Sequence, residues 1–249
     1  MIRLKSMSEI DKIRQAGRIV ASTLEALKRQ LCPGVRTIDL DVLAERLIRV
    51  AGAKPSFKGF DGYPYSICTS VNHQLAHGIP SSYVLQDGDL ISIDIGAVYD
   101  GYHADSAWTF SVGEPSPIGR RLMKATEDAL YQGIAQAKPG AHLSDISHAV
   151  QTCAQSYGFS IVQELTGHGV GRSLHEEPDI PNFGAAGHGP ILMPGMVLAI
   201  EPLVNEGSRS ICLVEDEDWT IETEDGKSCA HDEHTLAITE NGNEILTKQ

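Results

Sequence analysis

The segment Gln30-Leu-Cys-Pro-Gly-Val-Arg-Thr-Ile-Asp-Leu40 returns 106 residues later as Gln136-Ala-Lys-Pro-Gly-Ala-His-Leu-Ser-Asp-Ile146. Each copy follows a long stretch in which apolar residues recur at spacings of three and four, the pattern of an amphipathic helix, and each leads into a shorter stretch of that kind. Because the order of elements repeats together with the residues, we expect two similar α+β halves, about residues 1–112 and 113–249. No Pro-, Ser- or charge-rich linker separates them, so we expect a single domain spanning residues 1–249.

The same periodicity predicts two helices in each half. Ser6 and Glu9 have the spacing of a capping box before the first helix, and Ser116-Pro117 is a favoured N-cap and N1 pair before the third. The predicted helices cover about residues 8–31, 37–51, 117–138 and 145–157, and strands are expected within 65–71 and 90–110.

Composition narrows the class of protein. The chain has 249 residues, 41% hydrophobic and 21% charged, with 33 acidic against 20 basic side chains, which is typical of a soluble globular protein. It carries no apolar run of the ~20 residues that span a membrane and no signal-peptide core, so we expect a cytoplasmic protein without membrane contact. Its net charge of −13 argues against direct nucleic-acid binding. The five cysteines include no CxxC pair, which favours reduced thiols.

Two aspartates fall on one face of a predicted hairpin. In Ile91-Ser-Ile-Asp-Ile-Gly96 the isoleucines point one way, so Asp94 points the other. Asp100-Gly101 is a strong two-residue turn signal, and with that turn Gly96 lies opposite Asp105 and Asp94 opposite Ala107. The two aspartates are then diagonal neighbours, roughly 7–8 Å apart at Cα. Carboxylates held so close repel unless a proton or a cation lies between them, although one of the two could also be exposed at a strand end.

The second half supplies further ligand types. His168 lies among glycines in Thr166-Gly-His-Gly-Val-Gly171, Glu201 ends the apolar run Met196-Val-Leu-Ala-Ile200, and Glu233 opens another predicted strand. Singly, these side chains have simpler interpretations as a loop histidine, a salt-bridge partner and a surface charge. Together with the two aspartates they form a carboxylate-rich set with one imidazole, which suits two divalent ions bridged by water.

Six short segments, in one order along the chain, carry a more specific signal: Val71-Asn-His-Gln-Leu-Ala-His-Gly-Ile-Pro80, Ile93 to Ser106, Gly167-His-Gly-Val-Gly-Arg172, His175-Glu-Glu-Pro178, Ile200-Glu-Pro202 and Glu233-His-Thr235. With them, the sequence resembles the type I methionine aminopeptidases, in the bacterial form that lacks an N-terminal extension. The resemblance implies the α+β pita-bread fold, with two pseudo-symmetric halves around a dinuclear metal site. The implied ligands are Asp94, Asp105, His168, Glu201 and Glu233.

The implied activity is that of a metalloaminopeptidase. Such an enzyme removes the N-terminal methionine when the second residue is small, using a hydroxide bridged between two divalent ions. Ligation of this kind accepts Co, Mn, Fe, Zn or Ni. By the resemblance, Glu201 moves the proton, His175 hydrogen-bonds the carbonyl oxygen as it becomes anionic, and His77 contacts the peptide on its leaving side.

A methionine pocket is implied beside the metals, lined by Phe60, Tyr63, Cys68, Leu174 and Trp219. Leu174 stands where many members of the family carry Phe, and Phe60 where Tyr is common, so the pocket's shape and its tolerance at the second residue stay open. The expected partners are nascent polypeptide N-termini, the expected state is a monomer, and ribosome association stays open. Two alternatives are an Xaa-Pro aminopeptidase or prolidase on this fold, and a non-catalytic binding protein that has lost its ligands.

Overall fold

The computed structural model describes residues 1–215 and 217–248. Its α-helices, α1 to α4 in chain order, are Met7–Lys28, Thr37–Val50, Pro117–Gln136 and Leu143–Ser156. Its strands, β1 to β15, are Lys54–Pro55, Ile67–Val71, Gln74–Ala76, Leu90–Tyr99, Tyr102–Ser111, Ser160–Ile161, Thr166–Gly169, Glu176–Pro181, Val197–Ile200, Leu203–Asn205, Ile211–Leu213, Ile221–Thr223, Cys229–His231, His234–Thr239 and Gly242–Ile245. Within the described ranges, no helix is both long and apolar enough to cross a membrane.

The predicted helix starts are confirmed at α1 and α3 and corrected at α4. Ser6 and Glu9 form the capping box of α1, and Ser116 caps α3 with Pro117 at its first position. Helix α4 begins at Leu143, two residues before the predicted start, because the Asp145 carboxylate accepts the backbone N–H of His142 and so caps the helix.

Helix α1 ends three residues earlier than predicted. The backbone N–H groups of Gln30 and Leu31 donate to the carbonyls three residues before them, at 2.9 and 3.2 Å, so the last turn tightens and leaves the α-helical pattern.

The first-half sheet has the predicted register. Strands β4 and β5 pair antiparallel around the Asp100-Gly101 turn, with Asp94 opposite Ala107 and Gly96 opposite Asp105. Both turn residues have positive φ, as a two-residue hairpin turn requires. The isoleucines of β4 point into a core beneath α1 and α2, while Asp94 and Asp105 share the other face.

The second half repeats this plan with a larger sheet. Strands β15, β14, β9, β7 and β8 lie side by side in that order, and α3 and α4 cover one face of the sheet with an apolar core. Strand β9 carries the apolar run that precedes Glu201, and the neighbouring β7 carries His168. One sheet therefore presents both side chains.

The two halves join along a seam between β5 and the segment 231–235. The Thr235 hydroxyl donates to the Asp105 carbonyl at 2.7 Å and accepts its N–H at 3.0 Å. The Glu233 N–H donates to the Ala107 carbonyl at 2.7 Å, and the Ser106 hydroxyl donates to the Glu233 carbonyl at 2.7 Å. These bonds hold Asp105 of one half beside Glu233 of the other.

Candidate metal centre

All the side chains predicted to form the site line one cavity of about 510 Å³ between the halves. From the first half come Phe60, Tyr63, Cys68, His77, Asp94 and Asp105, and from the second half come His168, Leu174, His175, Glu201, Trp219 and Glu233.

The acidic groups and His168 converge at the seam. One ligand atom each of Asp94, Asp105 and Glu233 lies within 4.8 Å of the other two, and the same holds for His168, Glu201 and Glu233. Glu233 belongs to both groups, so these two sets of three ligands adjoin and share one carboxylate, and a third set joins Asp105 and His168 to His175. Carboxylate oxygens and one imidazole nitrogen are ligands that suit divalent cations.

Three of these carboxylates have a buried oxygen that no described residue satisfies: Asp94 Oδ1, Asp105 Oδ1 and Glu233 Oε1. Burying a carboxylate oxygen without a partner is costly, and the cost rises when three lie together. Orphaned oxygens that converge from two sheets are what a cation site needs, so the residues present fit a divalent metal.

The pKa values of these three carboxyl groups also show that their charged forms are unfavourable in this site. Burial raises the pKa of Asp94 to about 7. Burial, and then the neighbouring carboxylates, hold the pKa values of Asp105 and Glu233 well above their usual range. Each group resists ionisation because the charged forms repel in a region shielded from water. Without a cation, the cluster therefore retains protons.

His168 is oriented for ligation. Its Nδ1 lies 2.9 Å from the Gly169 carbonyl, which can only accept, so Nδ1 carries the proton and Nε2 presents a lone pair. That Nε2 lies 3.8 Å from Asp105 Oδ2 and 3.6 Å from Glu201 Oε1. A carbonyl that fixes the tautomer in this way is the usual outer partner of a metal-binding histidine.

The two other histidines predicted for the site, His175 and His77, line the same cavity. The ring of His175 meets the ring of His168 edge-on at 4.3 Å between centroids, and desolvation followed by the nearby His168 lowers the pKa of His175 to about 4. His175 is therefore a neutral imidazole near pH 7. His77 lines the cavity from a left-handed backbone position, with φ of 56°.

An apolar pocket opens beside the cluster. Phe57, Tyr63, Cys68 and Leu174 are buried against one another, with Trp219 at their edge. The rings of Tyr63 and Trp219 meet edge-on at 5.1 Å. Phe60 is different from the other predicted pocket residues, because it is 37% exposed at the rim.

Comparison with known proteins decides the family. The model of metallopeptidase family M24 matches residues 11–240. Methionine aminopeptidase 1 of Bacillus subtilis is 56% identical, over 100% of both chains. The chain belongs to the M24 metallopeptidases. The methionine aminopeptidase of Clostridium perfringens is 50% identical, and the match covers 99% of this chain and 99% of that protein.

Solved M24 structures confirm the predicted fold. The crystal structure of methionine aminopeptidase from Thermotoga maritima has a TM-score of 0.98 at 46% identity and covers 100% of both chains. Prolidase from Pyrococcus furiosus has a TM-score of 0.81 at 28% identity, with 65% of that chain covered. The pita-bread fold and the resemblance to methionine aminopeptidases are thus confirmed, and the prolidase alternative is not favoured.

Among the residues of this cavity that sequence reasoning did not place in the site are two buried ones, Phe57 and His231, which are 8% and 3% exposed. His231 stands two positions before Glu233, so strand periodicity would have placed both on one face. No comparable pattern marks Phe57, because it lies outside the strands, just after the two-residue β1.

Proposed function

We infer that this M24 metallopeptidase is a methionine aminopeptidase, which hydrolyses the first peptide bond of chains that begin with methionine and continue with a small residue. The observation that carries this inference is a cluster of orphaned carboxylate oxygens and one imidazole lone pair beside an apolar pocket. The cluster supplies ligands for the metal ions that hydrolysis requires, and the pocket recognises the methionine side chain.

Two divalent ions are proposed, one within reach of Asp94, Asp105 and Glu233 and the other within reach of His168, Glu201 and Glu233. When bound, divalent ions lower the pKa of a water molecule and polarise the scissile carbonyl. The ligand set accepts Co, Mn, Fe, Zn or Ni, so availability decides which is bound.

Glu201, His175 and His77 each have a separate role in the proposed reaction. Glu201 lies at the end of β9 with its side chain 14% exposed, and it takes the proton of the attacking water and passes it to the leaving amine. His175, neutral because its pKa is lowered to about 4, donates one N–H to the carbonyl oxygen as negative charge develops there. His77 contacts the peptide on the leaving side.

The pocket selects methionine by size and polarisability. Tyr63, Cys68, Leu174 and Trp219 offer an apolar enclosure with two aromatic rings, and a thioether makes favourable contacts with such rings. Phe60 lies at the rim against His175, with 5.1 Å between ring centroids, where it borders the reacting bond.

We further propose that residues 1–249 act as one catalytic domain and that the active form is a monomer in the cytoplasm, working on nascent polypeptide N-termini. Both halves supply ligands to one cavity, which supports the single domain. All five proposed ligands come from one chain, which supports a monomer as the active form.

The test uses purified protein loaded with Mn²⁺ or Co²⁺. Methionine release is measured on Met-Ala-Ser, on a matched peptide with a large second residue, and on Xaa-Pro peptides. We expect release from Met-Ala-Ser, little from the second peptide and none before proline. Cleavage confined to Xaa-Pro bonds would replace this assignment with a prolidase activity.

A further inference from the structure

His231 lies in the cavity with a buried imidazole, and it has no role in the reaction described above. It lies on β13 and is 3% exposed. Its Nε2 has no hydrogen-bond partner among residues 1–215 and 217–248, and it lies 3.5 Å from Glu201 Oε2. A buried polar atom left in this way needs a reason, because the protein loses a hydrogen bond to water there.

The backbone holds His231 in place from two sides. Its N–H donates to the Thr109 hydroxyl at 2.9 Å, and that hydroxyl donates to the His231 carbonyl at 3.0 Å. On the other side β13 pairs with β10, with His231 opposite Leu203, two residues after Glu201. The ladder therefore fixes the imidazole beside the glutamate.

The Glu201 carboxylate lies between two imidazoles. Its Oε1 is 3.6 Å from His168 Nε2, and its Oε2 is 3.5 Å from His231 Nε2. His168 cannot donate from Nε2, because its proton is on Nδ1. In the described part of the chain, no other side chain or backbone N–H makes a hydrogen bond with this carboxylate, so His231 is the donor available to it.

We propose that His231 is a positioning residue for Glu201, donating its Nε2–H to Oε2 so that Oε1 stays turned toward His168 and the other ligands. The distance of 3.5 Å is at the outer limit of a hydrogen bond, and such contacts shorten when a site is assembled. The proposal rests on the role of Glu201 in the proposed function. Its consequence is specific: without the donor, the Glu201 carboxylate, which moves the proton and is also a proposed ligand, turns away from its position. Turnover then slows and the surroundings of the bound metal change, while the peptide binds as before.

The test compares His231→Gln, which keeps an N–H donor of similar reach, with His231→Leu and His231→Met, two apolar side chains of similar volume. His188→Leu, in an exposed loop, is the control. Each protein is loaded with Co²⁺ and measured for kcat and KM on Met-Ala-Ser, for metal affinity by calorimetry, and for the visible absorption spectrum of the bound Co²⁺.

In the apolar variants we expect kcat to fall ~10- to 100-fold, the worth of a hydrogen bond to a charged group, with KM within about twofold. The Gln variant is expected to retain kcat within about threefold together with the wild-type Co²⁺ spectrum and affinity, whereas the apolar variants are expected to change the Co²⁺ spectrum because Glu201 has turned. Unchanged kcat in the apolar variants, or a Gln variant as slow as they are, would overturn the proposal. So would a changed Co²⁺ spectrum or lost Co²⁺ affinity in the Gln variant, since His231 would then be a ligand and not a hydrogen-bond donor to Glu201. A wild-type protein that releases no methionine would instead refute the proposed function.

Discussion

Replacing Asp94 by asparagine changes how the stability of the metal-free protein depends on pH. Burial raises the pKa of Asp94 from 3.8 to about 7 in the folded state. Between those values the folded protein binds a proton that the unfolded chain has already lost, so this group's contribution to stability falls as pH rises. Each pH unit is worth about 1.4 kcal/mol well below the folded pKa and about half that near pH 7, so from pH 5 to pH 7 the wild type loses about 2 kcal/mol relative to Asp94→Asn.

Urea unfolding of both proteins in the presence of a chelator measures this difference. The free energy of unfolding of the variant minus that of the wild type reports the titration of Asp94 together with its effect on the neighbouring Asp105 and Glu233, whose pKa values its charge helps to raise. We expect the variant to gain on the wild type steadily from pH 5 to pH 7. A difference that is the same at both pH values would show that Asp94 ionises freely in the folded state, and the argument for a strained carboxylate cluster would fail.

Two further perturbations test His175 and an ion pair outside the cavity lining, Lys5 with Glu176. His175→Ala is expected to lower kcat ~100-fold with metal content unchanged, as for the loss of one donor to a developing oxyanion; kinetics with elemental analysis measure both, and loss of metal would show that His175 is a ligand instead. Lys5→Met is expected to cost about 2 kcal/mol in urea unfolding, because it leaves the half-buried Glu176 without its charged partner at 2.9 Å. Lys5→Met combined with Glu176→Gln should cost less than Lys5→Met alone, and equal costs would mean that the pair does not interact.

The hairpin shows how far sequence can locate a site of this kind. The Asp100-Gly101 turn sets the register of β4 and β5, and the register alone places Asp94 and Asp105 on one face. The isoleucines of β4 settle which face is the core. Local rules are sufficient here because the two carboxylates belong to one hairpin.

The contacts across the seam were beyond such rules. That Glu233 lies beside Asp105 depends on how β5 packs against the segment 231–235, which joins residues more than 120 positions apart. His231 carries a local signal, because it stands two positions before Glu233, but its approach to Glu201, just after β9, is another contact between distant segments. The family resemblance named Glu233 as a ligand, but it did not point to His231.

The most direct test of the account compares methionine release from Met-Ala-Ser by the wild type and by Glu201→Ala under the same Mn²⁺ loading. The account predicts rapid release by the wild type and a loss of ~100-fold or more in the variant, because Glu201 moves the proton between water and the leaving amine. Full activity of the Glu201→Ala protein would contradict it.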